Sequence, residues 1–137
     1  MLTTFHLAFV AFDPYEPPSS WLLPTAARIL KTFEQADVRV ALLVTADVSD
    51  AQLWLGPHAQ DFKVFVDPER TAVRGFGLQR LPAVVHVAMD GTIVTSAEGW
   101  HPDEWDKVTR RLAEMTGWTP PVVPLPGDPA PFDGSPA

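Results

Sequence analysis

The strongest constraint on the fold is the regular alternation of apolar, strand-like stretches with helical patterns along the chain. Residues 5–12 are apolar almost throughout, which is typical of a strand buried on both faces of a sheet. Residues 38–44 and 83–88 have the same character. Between the first two stretches, apolar residues from 22 to 33 recur three and four positions apart, which predicts an amphipathic helix. This alternation predicts an α/β sandwich.

Shorter elements lie between the second and third apolar stretches. Ser49 followed by Gln52 predicts a capping box for a helix that ends at Leu55. Residues 64–66 predict a short strand, and residues 69–74 predict a further helix that is stopped by the glycines after it.

The last part of the pattern is a hairpin followed by a helix. Asp90-Gly91 is a strong tight-turn signal, so residues 92–96 are expected to run antiparallel to the strand before them. The complete order, β-α-β-α-β-α-β-β-α, therefore predicts a mixed central sheet. The final helix opens at His101-Pro102, and its expected apolar stripe comprises Trp105, Val108, Leu112 and Met115.

A proline-rich segment follows the last helix. Residues 118–137 hold seven of the fifteen prolines, which predicts an extended or disordered tail behind a domain of residues 1–117. Such a tail either docks on a partner as polyproline II or stays solvated without a role, and the composition does not decide between the two.

The charge balance limits the partners. The net charge is −7, and no cluster of Lys or Arg is present beyond the pair Arg110-Arg111. Because phosphate groups attract clustered cations, nucleic acid and anionic membranes are poor partners, whereas a basic or neutral protein is compatible. No apolar run is long enough for a membrane span, and the N-terminal residues lack a basic signal region, so we expect a cytoplasmic location.

The sequence contains no cysteine. This absence excludes disulfide exchange, thiol peroxidase chemistry and thiolate metal sites in this chain. The four histidines match no metal-binding spacing, and His6 and His86 are expected to be hydrogen-bonded within central strands. We therefore expect neither a metal nor a cofactor.

The order of elements and several short motifs resemble the thioredoxin fold between residue 5 and about residue 116. The motifs are residues 66–69, Phe76-Gly77-Leu78 and Leu81-Pro82-Ala83, followed by the Asp90-Gly91 hairpin. The resemblance implies a three-layer sandwich with a mixed central sheet and a loop in which Pro82 is cis. Redox members of this fold carry Cys-x-x-Cys at the start of the first helix, where this chain has Glu-Pro-Pro-Ser from Glu16 to Ser19. Their redox residues are therefore not carried over.

A narrower resemblance is to the cysteine-free, thioredoxin-like accessory proteins encoded in NiFe-hydrogenase operons. It is carried by residues 76–83, by Gly99-Trp100-His101-Pro102 and by Asp13-Pro14. This resemblance implies a chaperone or assembly factor for the hydrogenase small subunit, acting before its assembly or export. Asp67-Pro68 and the proline-rich tail are more similar to the TlpA-type group.

The thioredoxin resemblance also implies a groove for an extended client peptide beside the cis-proline loop. The residues expected to bind a client there are Glu16, Ser19, Trp21, Arg80, Leu81, Pro82 and Trp100. Tryptophan is enriched at binding hot spots, so replacing Trp100 by alanine is expected to weaken client capture and to leave the fold intact. The alternative for both tryptophans, Trp21 and Trp100, is that they only cover the core.

Two other functions stay open at this point. Asp13 and Glu16 could form a carboxylate pair for acid–base catalysis in a non-thiol enzyme, although a turn cap and a solvated loop residue explain them as well. Ser19 and Ser20 are expected to cap the first helix rather than to act as nucleophiles. The chain could also be a fixed structural subunit of a larger assembly, with residues 118–137 as its anchor.

Overall fold

The computed structural model describes residues 6–88 and 90–137, so Phe5, the expected start of the first strand, lies outside the described residues. The described chain contains five helices and seven strands. In chain order, these are β1 (His6–Phe12), α1 (Pro17–Thr32), β2 (Val38–Val44), α2 (Val48–Leu55), α3 (His58–Asp61), β3 (Lys63–Val66), α4 (Thr71–Gly75), β4 (Arg80–Leu81), β5 (Ala83–Val87), β6 (Ile93–Glu98), α5 (Pro102–Thr116) and β7 (Ser135–Pro136).

Five of the strands form one mixed sheet in the order β3-β2-β1-β5-β6. β1 lies at its centre and pairs parallel with β2, with Phe12 opposite Val44, and antiparallel with β5, with Phe9 opposite Val85. β2 pairs parallel with β3, and β5 pairs antiparallel with β6. The expected α/β architecture with a mixed central sheet is therefore confirmed.

Alternate residues of the central strands point to opposite faces of the sheet and build two cores. On one face, Val10 and Phe12 pack with apolar residues of α1 and α5, including Leu22 and Trp105. On the other face, Phe9 and its neighbours pack with α4 and with the loop that carries Leu81. The sheet is thus the middle one of three layers.

Three local details differ from the sequence expectations: the first residues of α2 and α4, and the exposure of Met115. α2 begins at Val48 instead of after Ser49, because the Asp47 side chain accepts the N–H of Asp50 at 2.8 Å and caps the helix. α4 begins two residues late, after Arg70, whose φ of 61° is left-handed and non-helical. Met115 of the expected stripe is 42% exposed, because it lies near the end of α5, beyond the region that faces the sheet.

The two histidines of the central strands are buried in the core, as expected, and the structure shows that they contact each other. His6 Nδ1 lies 2.9 Å from His86 Nε2, and the His86 side chain is fully buried. Burial, followed by the nearby His6 and Arg111, lowers the pKa of His86 from 6.5 to about 4. The His86 ring is therefore neutral near pH 7, and its Nδ1 atom has no hydrogen-bond partner among the described residues.

Within the described residues, no helix combines the length and the apolar character that crossing a membrane would require.

Candidate functional site

The candidate site lies where the N-terminal turn of α1 faces the loop between β4 and β5. The peptide bond between Leu81 and Pro82 is cis, as expected from the resemblance. The Glu98 carboxylate accepts the N–H groups of Gln79 and Arg80 at 2.6 and 2.7 Å and holds the loop from the neighbouring strand β6. The backbone that leads into the cis bond is therefore anchored to β6.

A shallow pocket of about 180 Å³ opens beside this loop. Glu16 and Ser19 of α1 line it together with Leu81 and Pro82, so the fold brings together four of the expected binding residues. Its volume is below the roughly 300 Å³ at which small-molecule sites usually begin, so it does not resemble a substrate cavity. Pro18 of α1 lines it as well, and the other four lining residues come from the tail: Phe132, Asp133, Gly134 and Ser135.

The proline-rich tail lies along the cis-proline loop as an additional strand. β7 pairs antiparallel with β4, with Ser135 opposite Leu81 and Pro136 opposite Arg80. The N–H of Ala137 continues the pairing and donates to the carbonyl of Gln79 at 2.9 Å. The groove that was expected to hold a client peptide is thus occupied by this chain's own extended segment, which we call the tail strand (residues 132–136).

Gly134 crosses the loop at very close range. Its φ is +83°, and a Cβ at this position would overlap the carbonyl oxygen of Leu81. Gly99 lies on the opposite side of the same crossing, where a Cβ would be 2.7 Å from the Asp133 carbonyl oxygen. The tail strand therefore fits because both crossing points are glycine.

Trp100 departs from the expectation that its indole would face a client. Its side chain is fully buried and packs edge-on against Trp105, with ring centroids 5.1 Å apart. The indole N–H donates to the carbonyl of Pro129 at 2.8 Å. Its backbone exchanges two hydrogen bonds with Phe132, at 2.8 and 3.0 Å. Trp100 is therefore a core residue that binds the tail, because the tail covers what would otherwise be an open edge.

Trp21 and Arg80 take different positions from the four lining residues. Trp21 is 61% exposed on α1 and does not line the pocket. Arg80 is exposed, and its guanidinium reaches the carbonyl of Gly134 at 3.4 Å. Arg80 therefore contacts the tail strand, whereas Trp21 lies on the exposed surface of α1 and outside the pocket lining.

The polar residues at the start of α1 already have partners. The Ser19 hydroxyl donates to the carbonyl of Asp13 at 2.6 Å, and the α1 N-cap residue, Glu16, makes no side-chain cap, so the expected capping by Ser19 is wrong. Ser20 accepts the indole N–H of Trp54 instead. The Asp13 carboxylate is buried and receives the guanidinium of Arg70 at 2.8 Å. Asp13 and Glu16 therefore sit in different surroundings, an ion pair and an open pocket.

A second anchor holds the tail on α1. The Asp128 carboxylate, almost fully buried, accepts hydrogen bonds from Thr25, Arg28 and the N–H of Leu125, each at 2.7–2.8 Å. Further along the tail, the Arg70 guanidinium, which pairs with Asp13, also donates a hydrogen bond to the carbonyl of Pro136 at 2.9 Å. Composition could not indicate the contacts of Asp128 with Thr25 and Arg28 or that of Pro136 with Arg70, because these partners are 66 to 103 residues apart in sequence.

Replacing Asp128 by alanine is expected to lower the free energy of unfolding by about 2 kcal/mol, since three hydrogen bonds to a buried charge are lost and Arg28 remains half-buried. Hydrogen exchange of residues 118–137 should also speed up. Urea denaturation and exchange mass spectrometry check both effects. Asp133→Ala is the control: it removes a carboxylate of the same tail whose pairing with His101, at 3.1 Å, is exposed to solvent, and it should change both values far less. Equal exchange in the two variants would contradict an anchoring role for Asp128.

Comparisons with known proteins give structural matches only: no protein-family model matches this chain, and no curated protein does. The dsbF protein of MTB is 18% identical over 82% of this chain and 81% of its own, with a TM-score of 0.65. The pneumococcal exposed lipoprotein thioredoxin Etrx1 from Streptococcus pneumoniae is 20% identical over 80% and 84%, with a TM-score of 0.64. A thiol-disulfide oxidoreductase from Bacteroides fragilis is 12% identical over 81% of each chain, also with a TM-score of 0.64.

These matches establish a thioredoxin-like fold. At such low identity they carry the fold alone. The neighbours are thiol-disulfide oxidoreductases or thioredoxins by name, whereas this chain has no cysteine with which to perform that chemistry.

Proposed function

We propose that this chain is a redox-inactive, thioredoxin-like binding protein that holds an extended segment of a client protein against the cis-proline loop. The observation that carries the proposal is the antiparallel pairing of Leu81 with Ser135. A backbone edge that pairs with one extended segment has the hydrogen-bonding geometry for another, which is the basis of peptide capture by strand addition.

Binding is favoured over catalysis by the surroundings of the polar residues. The Asp13 carboxylate is neutralised by Arg70, the Ser19 hydroxyl is used by a backbone carbonyl, and the pocket beside Glu16 is small. This arrangement supports a site that recognises backbone and a few side chains. The net charge of −7 and the carboxylate of Glu16 at the groove favour a client segment that carries arginine or lysine.

The client we propose is the small subunit of a NiFe hydrogenase, bound before its assembly or export. This choice rests on the sequence resemblance carried by residues 76–83 and by Gly99-Trp100-His101-Pro102. A chaperone role requires a reversible complex, so the tail strand must leave the groove when the client enters it.

The test is co-purification from the native host with the full-length tagged chain in three forms. Gly134→Ala should disengage the tail strand, because its Cβ overlaps the Leu81 carbonyl oxygen. Gly127→Ala introduces a side chain at a similar positive φ, +96°, where no atom lies within 4 Å, and is the matched control. We expect the hydrogenase small-subunit precursor to co-purify, at least several-fold more with Gly134→Ala than with the wild type or Gly127→Ala.

Two outcomes would contradict the proposal. Absence of the precursor from all three samples would remove the hydrogenase client. Recovery of other proteins in a constant ratio, independent of the Gly134 substitution, would instead favour a fixed structural subunit.

A further inference from the structure

The tail strand shows what kind of segment the groove accommodates. We propose that the groove selects extended segments in which an aromatic residue precedes a glycine by two positions, as Phe132 precedes Gly134, and that such a segment binds by displacing the tail strand. The inference rests on the proposed function, since it takes the groove to be a peptide-binding site.

The glycine requirement follows from the crossing at Leu81. Any side chain at position 134 would overlap the Leu81 carbonyl oxygen, and the next nearest atoms are the Leu81 carbonyl carbon at 3.0 Å and Pro82 Cδ at 3.4 Å. These are mainly backbone atoms, and Glu98 holds the loop through Gln79 and Arg80. The loop therefore cannot give way as a flexible side chain would.

The aromatic requirement follows from the position of Phe132 beside Trp100. Phe132 is partly buried and packs against the main core cluster, and its backbone exchanges both hydrogen bonds with Trp100. These bonds place the aromatic ring and set the register of the strand. A bound segment must then present its glycine two residues later to cross Leu81.

The strand itself is held lightly enough to be replaced. β7 is two residues long, and the contacts of Arg70 and Arg80 with the carbonyls of Pro136 and Gly134 are exposed to solvent. Because the tail strand is covalently attached, its local concentration at the groove is high, and a peptide added in solution competes poorly with it for the groove. This disadvantage disappears once the tail strand is disengaged.

The test uses a fluorescein-labelled peptide of residues 129–137 and the full-length protein, with fluorescence anisotropy as the readout. We expect the peptide to bind the Gly134→Ala protein at least about tenfold more tightly than the wild type or the Gly127→Ala control, because only the first has released its own strand. Peptides that carry Gly134→Ala or Phe132→Ala should each bind the Gly134→Ala protein at least about tenfold more weakly than the native peptide.

Hydrogen exchange at residues 132–136 reports whether the strand has left the groove. An unchanged exchange rate in the Gly134→Ala protein would overturn the glycine requirement, since alanine would then be accommodated. Failure of the native peptide to bind a protein with a released strand, or equal binding of all three peptides, would overturn the proposed selectivity. If Gly134→Ala does not fold, Asp128→Asn replaces it as the protein with a loosened tail.

These results are separable from the fate of the proposed function. Glycine-dependent peptide binding without any hydrogenase precursor in the co-purification would support the selectivity and refute the client. Capture of the precursor together with equal binding of the three peptides would support the proposed client and refute the selectivity.

Discussion

Replacing Trp100 by alanine is expected to lower the free energy of unfolding by about 3–5 kcal/mol, the range for removing a buried large aromatic side chain. Trp100 is fully buried against Trp105, and its indole N–H satisfies the carbonyl of Pro129. The substitution opens a cavity in the main core and also leaves that carbonyl unpaired. This outcome replaces the sequence expectation that Trp100→Ala would leave the fold intact.

Urea denaturation monitored by circular dichroism measures the effect. Trp21→Ala is the matched control, because the same side chain is removed from a position that is 61% exposed, and it should change the stability by less than about 1 kcal/mol. Similar losses in the two variants would contradict the burial of Trp100. Trp100 is consequently unsuitable for mapping client binding, and the Gly134 substitution serves that purpose instead.

Lowering the pH from 6.5 to 4 is expected to remove about 3 kcal/mol of stability through His86 alone. In the unfolded chain this side chain takes up a proton near pH 6.5, whereas burial, with His6 and Arg111 nearby, lowers its pKa in the folded protein to about 4. Between these values the unfolded state binds more protons, so stability falls as the pH falls, by up to about 1.4 kcal/mol per pH unit. The contribution of His86 levels off about one pH unit above 6.5, where the ring is neutral in both states.

The measurement is the free energy of unfolding at several pH values between 5 and 6.5, above the range in which ordinary carboxylates titrate. His86→Gln should flatten the slope in this window, because it replaces the ionisable ring by a neutral amide. Slopes that are the same in the wild type and in His86→Gln would show that His86 is protonated equally in both states.

Much of the sheet could be predicted from local sequence. β2 spans Val38–Val44 as expected, because its mostly β-branched or leucine side chains, of which Ala41–Val44 are buried, form an apolar run that is visible without knowledge of its neighbours. The tight turn at Asp90-Gly91 was likewise found where the sequence placed it, and the cis bond before Pro82 lies where the thioredoxin resemblance implied it. The absence of cysteine excluded thiol chemistry before any fold was considered.

The candidate site was predictable only in part. Glu16, Ser19, Leu81 and Pro82 lie together because the thioredoxin-like topology brings the first helix to the cis-proline loop. Trp21 and Trp100 resemble each other in sequence as isolated tryptophans beside expected loops, yet one is exposed and the other fully buried. That difference depends on which edge of the domain the tail covers.

By itself, the sequence determined the α/β order, the positions of the five strands of the central sheet and the exclusion of thiol chemistry, because these depend on residue type and on periodicity over a few residues. Only the tertiary structure decided where residues 118–137 lie. A proline-rich segment has no periodicity, and its stability comes from distant partners such as Arg28 with Asp128 and Trp100 with Phe132. The same long-range packing places Gly134 on Leu81, so the state of the groove depends on contacts that no local pattern encodes.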